Sequence, residues 1–269
     1  MRASRATTLV AGLLIFAVQA RAAEHPALAQ ARALYNTADY DGAIAAATIA
    51  RSDPASADAA ALVTGRARLE RHRLRADPSD LAAARDALAA ARAPSLSPRD
   101  QLDLLVGLGQ SLYLGDTYGP AAEIFDTALG RGSLLMHRDR LLLLDWWATA
   151  LDREAQQRPA EDRPSVYRRI AARMEEELRL DPGSAPSNYW LAAAARGAGD
   201  LDRGWDAAIA GWVRAQLSPE TSAKLRADLD TLVNQALIPE RARTRPQREL
   251  PDASTALRTE WELVKEHWK

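Results

Sequence analysis

Two stretches of this chain, Leu105–Leu129 and Tyr189–Ala215, carry the same pattern. Each has an apolar helix with a small residue in its middle, a Gly-Asp turn, and a second helix rich in alanine. The first reads LVGLGQSLYLGDTYGPAAEIFDTAL and the second YWLAAAARGAGDLDRGWDAAIAGWVRA. A helix pair of this size leaves one apolar flank uncovered, so it is stable only when stacked on further copies of itself. The chain is therefore expected to form a row of helix pairs.

The rest of the sequence supports that expectation. Helical periodicity runs almost unbroken from Pro26 to Trp212, with Pro and Gly falling at the breaks. It divides into five pairs: Pro26–Thr37 with Gly42–Arg51, Ala57–Leu74 with Asp80–Arg92, Pro98–Leu114 with Gly119–Leu129, Leu134–Gln157 with Ser165–Leu180, and Ala185–Arg196 with Asp202–Ala215. The helix from Asp80 takes Ser79 or Asp80 as its N-cap. Apolar turn residues Tyr40, Leu81, Tyr118 and Leu201 recur at similar steps, one missing step placing a turn near Pro159–Asp162. Alternation of period two is absent, so no sheet is expected. Beyond the pairs, 217–238 reads as one more packing helix, marked by Leu225, Leu229, Leu232 and Val233. The Pro- and Arg-rich stretch 239–253 reads as a linker. Residues 254–269 read as an amphipathic helix with Leu257, Trp261, Val264 and Trp268 on one stripe, folding back to cap the stack.

Hydrophobic residues make up 47% of the chain and charged residues 26%, which fits a packed interior rather than disorder. The formal net charge is −1, and residues 1–22 contribute Arg2, Arg5 and Arg21 with no acids, so the remainder is mildly acidic. That value offers no field for nucleic acid or an anionic membrane. Cys is absent, which excludes disulfides, thiolate catalysis and Cys-based zinc sites. Residues 1–22 read as a signal peptide: Arg2 and Arg5, an apolar run Thr8–Val18, and the small-x-small site Ala20-Arg21-Ala22. The run is short for a membrane span. The expected location is the bacterial periplasm or the medium, with no span after cleavage.

The turns and packing positions resemble the tetratricopeptide repeat. Leu108-Gly109, Leu112, Tyr118, Ala121, Phe125 and Ala128 match its pattern. So do Leu191-Ala192, Ala195, Gly199-Asp200-Leu201, Ala208 and Gly211, with Gly204 in an alanine position. Ala31, Leu34, Asp39-Tyr40, Ala43, Ala47 and Ala50 make a third unit. The spacing here exceeds the family's period of about 34 residues. The resemblance implies an all-α, right-handed helical-repeat solenoid of about five antiparallel pairs over 23–216, with a C-terminal capping helix. It also implies a concave groove lined by first-helix residues: Arg32, Tyr35, Asn36, Gln110, Tyr113, Tyr189 and Arg196. Such a groove holds an extended peptide.

Catalytic and metal-binding patterns are not found. His25, His72, His137 and His267 make no HExxH or other helical pairing, so no metal is expected. Glu175, Glu176 and Glu177 could suggest acid–base chemistry. Tyr167, Ile170, Ala171, Met174 and Leu178 already account for that helix's buried stripe, so the glutamates are expected to face water, with Arg173/Glu177 and Glu175/Arg179 paired. Gly107-Leu108-Gly109 lacks a preceding strand, and Ser133 lacks a GxSxG frame. All seven Trp lie beyond residue 145; they fill gaps between helices and seal the C-terminal end, or they form an aromatic wall for a ligand. The expectation is a non-catalytic adaptor or scaffold without cofactor that binds a partner protein or peptide. Alternatives are a cell-envelope hydrolase or accessory protein on a helical superstructure, and an envelope-associated structural protein.

Overall fold

A computed structural model describes residues 24–217, 222–244 and 250–268 of the chain. The segment read as a signal peptide lies outside the described residues, as do 245–249 of the expected linker. The fold is all-α, and no strand occurs among the described residues. The helices are α1 (Pro26–Asn36), α2 (Tyr40–Ala50), α3 (Ala57–Arg75), α4 (Pro78–Ala90), α5 (Pro98–Tyr113), α6 (Tyr118–Leu129) and α7 (His137–Gln157). They continue as α8 (Arg163–Leu180), α9 (Ala185–Gly197), α10 (Leu201–Arg214), α11 (Ser222–Leu232), α12 (Ile238–Arg243) and α13 (Leu250–His267). Sequential antiparallel pairs pack into a row, each element touching chiefly its neighbours in sequence. First helices also touch across pairs, α1 on α3, α3 on α5 and α7 on α9.

One turn recurs in this row. Ala38, Ala76, Asp116 and Gly199 all adopt left-handed backbone, with φ of 61°, 54°, 58° and 87°. The following residue is each time the N-cap of the second helix: Asp39, Asp77, Thr117 and Asp200. In the first, third and fifth pairs the closure is the same in detail. The amides of Asp39, Thr117 and Asp200 donate back to the carbonyls of Leu34, Leu112 and Ala195, at 2.9, 3.0 and 2.9 Å. This pairing satisfies carbonyls that a helix end would otherwise leave bare. These three units are the ones with the strongest sequence pattern. The turn at Pro159–Asp162 falls where the spacing places it.

Several helix boundaries differ from expectation, α13 for one beginning at Leu250 inside the stretch read as a linker, and three differ for plain local reasons. Asp77, rather than Ser79 or Asp80, caps α4, accepting from the Ser79 amide at 2.9 Å. Asp80 is freed from capping and is 1% exposed, held by Arg71 and by Arg68 at 3.3 Å. Helix α7 starts at His137 because Gly132–Leu134 forms a 3₁₀ turn ending in extended backbone. Pro239 does not begin a linker: α11 runs through a π-turn, Val233–Leu237, directly into α12. Proline cannot donate to the carbonyl four residues back and crowds it; the wider π-turn before Pro239 displaces that carbonyl.

Burial follows the row. A first cluster joins α1, α2 and α3 through Leu28, Ala31, Ala47, Ala50 and Val63. A second joins α3, α4 and α5 through Leu62, Leu69, Leu88 and Leu104. A third runs from Leu102 to Trp261 and takes in all later helices. Alanines dominate the contacts of the first two pairs, which lets their axes come close. At the far end α13 closes the stack. Its Trp261 is fully buried, edge-on to Trp205 and Trp212 of α10 at 6.1 and 5.4 Å, while Leu257 and Val264 pack against the same cluster.

Candidate functional site: a groove lined by first helices

Tyr35 near the end of α1 faces Arg66 of α3, whose guanidinium lies 4.7 Å from the ring centre. Arg66 in turn pairs with Asp103 of α5 at 2.9 Å, and Arg99 of α5 pairs with Asp139 of α7 at 2.9 Å. Arg73 of α3 pairs with Glu70 and sits 5.3 Å over the ring of Trp146 on α7. Four consecutive first helices are thereby drawn around one groove of about 290 Å³. Its lining includes the apolar Leu102 and Val106 of α5 and Leu142 and Leu143 of α7, together with Gln110 of α5. Leu142 is 55% exposed and Trp146 half-buried, so apolar surface remains open to an incoming chain. Burial raises the Tyr35 phenol above its ordinary value, opposed by the Arg66 charge. Tyr35 is therefore a neutral hydrogen-bonding group at physiological pH.

The residues implied for a groove are not all together. Tyr35 and Gln110 line this cavity. Tyr113 backs it, edge-on to Trp146 at 5.1 Å and to Tyr118 at 5.3 Å. Arg32 is tied to Asp100 at 3.1 Å and Glu24 at 3.0 Å, and Asn36 is exposed at the helix end. Tyr189 lies further along the row, edge-on to Trp190 at 5.5 Å. Arg196 is occupied by the chain itself: both Glu240 oxygens receive it, at 2.6 to 3.0 Å. Sequence reasoning missed Arg66, Arg73, Leu142 and Trp146 as groove members. The adjacent pair Trp146-Trp147 was the available signal, since neighbours on a helix face different ways. Trp147 is the buried one, 1% exposed, and Trp146 faces the groove.

The other tryptophans serve the end of the stack. The Trp205 indole donates to Glu260 at 3.0 Å, Trp261 to Asp230 at 2.8 Å, and Trp212 to the Trp268 carbonyl at 3.2 Å. Trp190 donates to Asp145 at 2.9 Å.

Glu177 departs from expectation. It does not face water but is 5% exposed, because it continues the stripe of Ile170 and Met174 on α8. Arg140 of α7 compensates it through two nitrogens at 2.6 and 2.9 Å, and Arg173 adds a third bond at 3.1 Å. Arg173 reaches on to Asp126 of α6 at 2.9 Å. With both oxygens held by cations, this carboxylate is a structural tie among three helices and is not poised as a general base. Glu175 pairs with Arg203 rather than Arg179.

Among the described residues, no group of three or more His, Asp or Glu is placed to hold a metal ion. None of their helices is long and apolar enough to cross a membrane. No protein-family model, curated protein or solved structure matches the chain.

Proposed function

We propose that the protein is an exported, tetratricopeptide-repeat-like adaptor that holds an extended segment of a partner protein in the groove between Tyr35 and Trp146. The observation carrying this reading is that α1, α3, α5 and α7, the first helices of four successive pairs, all present side chains to one open channel. A row of helix pairs with such a channel suits a linear ligand that runs across the helices. The recurring left-handed turns at Ala38, Asp116 and Gly199 support the repeat kinship. So does the close fit of Gly109 to Phe125, at the positions where the repeat pattern has its small residue and its aromatic. The half-buried rings of Tyr35 and Trp146 are anchors with little rotamer entropy to lose on binding. The arginine-bearing start of the chain and its apolar run Thr8–Val18 support export. The role in this reading is binding without catalysis, supported by the groove carboxylates Glu70, Asp103 and Asp139 each lying in an ion pair with an arginine.

Site-specific photo-crosslinking tests the proposal. A photoreactive residue at Gln110, in an envelope fraction, should give discrete adducts that the same probe at the exposed Asp86 of α4 does not. Equal adducts from both positions, or adducts from Asp86 alone, would contradict the groove.

A further inference from the structure

Charge is distributed unevenly along the faces of the first helices. Around Tyr35 and Trp146 the cations Arg66, Arg73 and Arg99 each lie in an ion pair with Asp103, Glu70 or Asp139. That half is electrically balanced. The row of odd-numbered helices continues through α7, α9 and α11, and there the balance fails. Asp145 and Asp152 of α7 and Asp228 of α11 all stand close enough to Tyr189 of α9 to add to the effect of burial in raising its phenol.

None of these three carboxylates has a cation partner among the described residues. Asp145 accepts from the Trp190 indole at 2.9 Å. Asp152 accepts from the Tyr167 hydroxyl at 2.9 Å and the Gln156 amide at 2.6 Å. Arg196, on the same helix as Tyr189, is neutralised by Glu240. Asp145 follows Leu142 of the groove by three residues and Asp152 follows Asp145 by seven, so both continue the face of α7 that Leu142 presents to the groove, and the negative patch begins where the apolar groove ends.

We infer that the segment held in the groove is cationic: an extended peptide with an apolar side chain against Trp146 and lysine or arginine side chains reaching Asp145, Asp152 and Asp228. This rests on the proposed groove and adds the chemistry of its occupant. Unpaired carboxylates beside low-dielectric aromatic walls concentrate negative potential, which attracts cations and repels acidic chains. The faces of Tyr189 and Trp190 further favour an ammonium or guanidinium. The aliphatic stem of either side chain covers apolar surface on its way there.

The test uses the full chain and fluorescein-labelled peptides of one Leu/Ser framework that differ only in carrying lysines, glutamines or glutamates. Anisotropy should show the lysine peptide binding at least about tenfold more tightly than the others, more weakly as salt rises. The double variant Asp145→Asn/Asp152→Asn should lose about tenfold toward that peptide and nothing toward the glutamine peptide. Asp228→Asn, which breaks no hydrogen bond among the described residues, should lose a smaller factor in the same direction.

Equal binding of all three peptides, weakened only by Trp146→Ala, overturns this inference and leaves the groove standing. Failure of the lysine peptide to bind overturns it as well, while the crosslinks from Gln110 still judge the groove. Displacement by spermidine as effective as by unlabelled lysine peptide overturns it in favour of simple charge attraction.

Discussion

Gly109 of α5 and Phe125 of α6 fit so closely that a Cβ on residue 109 would stand 2.5 Å from the Phe125 ring. The two helices of the third pair meet through this contact, and Phe125 is fully buried. Gly109→Ala should therefore cost about 1–3 kcal/mol through overpacking. In a Phe125→Ala background the clash is gone and only helix propensity remains, so the same change should stabilise by up to about 1 kcal/mol. Urea denaturation of the two single variants and the double variant measures the reversal of sign.

Glu177 ties α6, α7 and α8 through Arg140 and Arg173. Glu177→Ala leaves a half-buried guanidinium without its partner and should cost about 3 kcal/mol or more. Its exposed neighbour is the control: Glu176→Ala should stay within about 0.5 kcal/mol. Equal effects at the two positions in urea melts would contradict the tie.

What could be read from the sequence was what lies within one turn of itself. Asp39, Asp200 and the small–apolar pairs Leu108-Gly109 and Leu191-Ala192 declare their roles through neighbours a few residues away. Glu177 could not be read in this way, because its main partner Arg140 lies 37 residues distant. Nor could Arg196, since Glu240 lies 44 residues further along the chain. The site divides on the same line. Tyr35, Gln110 and Tyr113 follow from repeat register, whereas Arg66 and Arg73 join the groove only because α3 happens to stand opposite α1 and α7. Pro239 misleads for a different reason: a proline usually ends a helix, and a π-turn leaves no simple mark in composition.

Acid should weaken the second pair in a defined window. Asp80 is 1% exposed, and the Arg71 guanidinium bonded to it holds its carboxyl below the ordinary value. A depressed folded pKa means the contribution is fully present above the unfolded value of about 3.9. It is lost as pH falls through the lower folded value. The urea midpoint should be steady from neutrality to about pH 5 and then fall. Asp80→Asn should lower the midpoint at neutral pH and flatten the acid limb; an acid limb unchanged by that variant would contradict the assignment.

At the other end of the row, Trp261 is the fully buried anchor of α13. Trp261→Ala should cost about 3–5 kcal/mol locally. In a row where units contact only neighbours, the loss should be confined. Hydrogen exchange should accelerate in α10 to α13 and stay unchanged in α1 to α4. Uniform acceleration throughout would mean a single cooperative globule.

Hydroxyl-radical footprinting of the protein with its crosslinked partner measures the central claim most directly. Tyr35 of α1 and Leu142 and Trp146 of α7, on two different first helices of the groove, should be protected together when the partner is bound. Ile49, Leu74 and Leu180, exposed elsewhere on the surface, should react as in the free protein. Protection of those three with Tyr35, Leu142 and Trp146 unchanged would contradict the account.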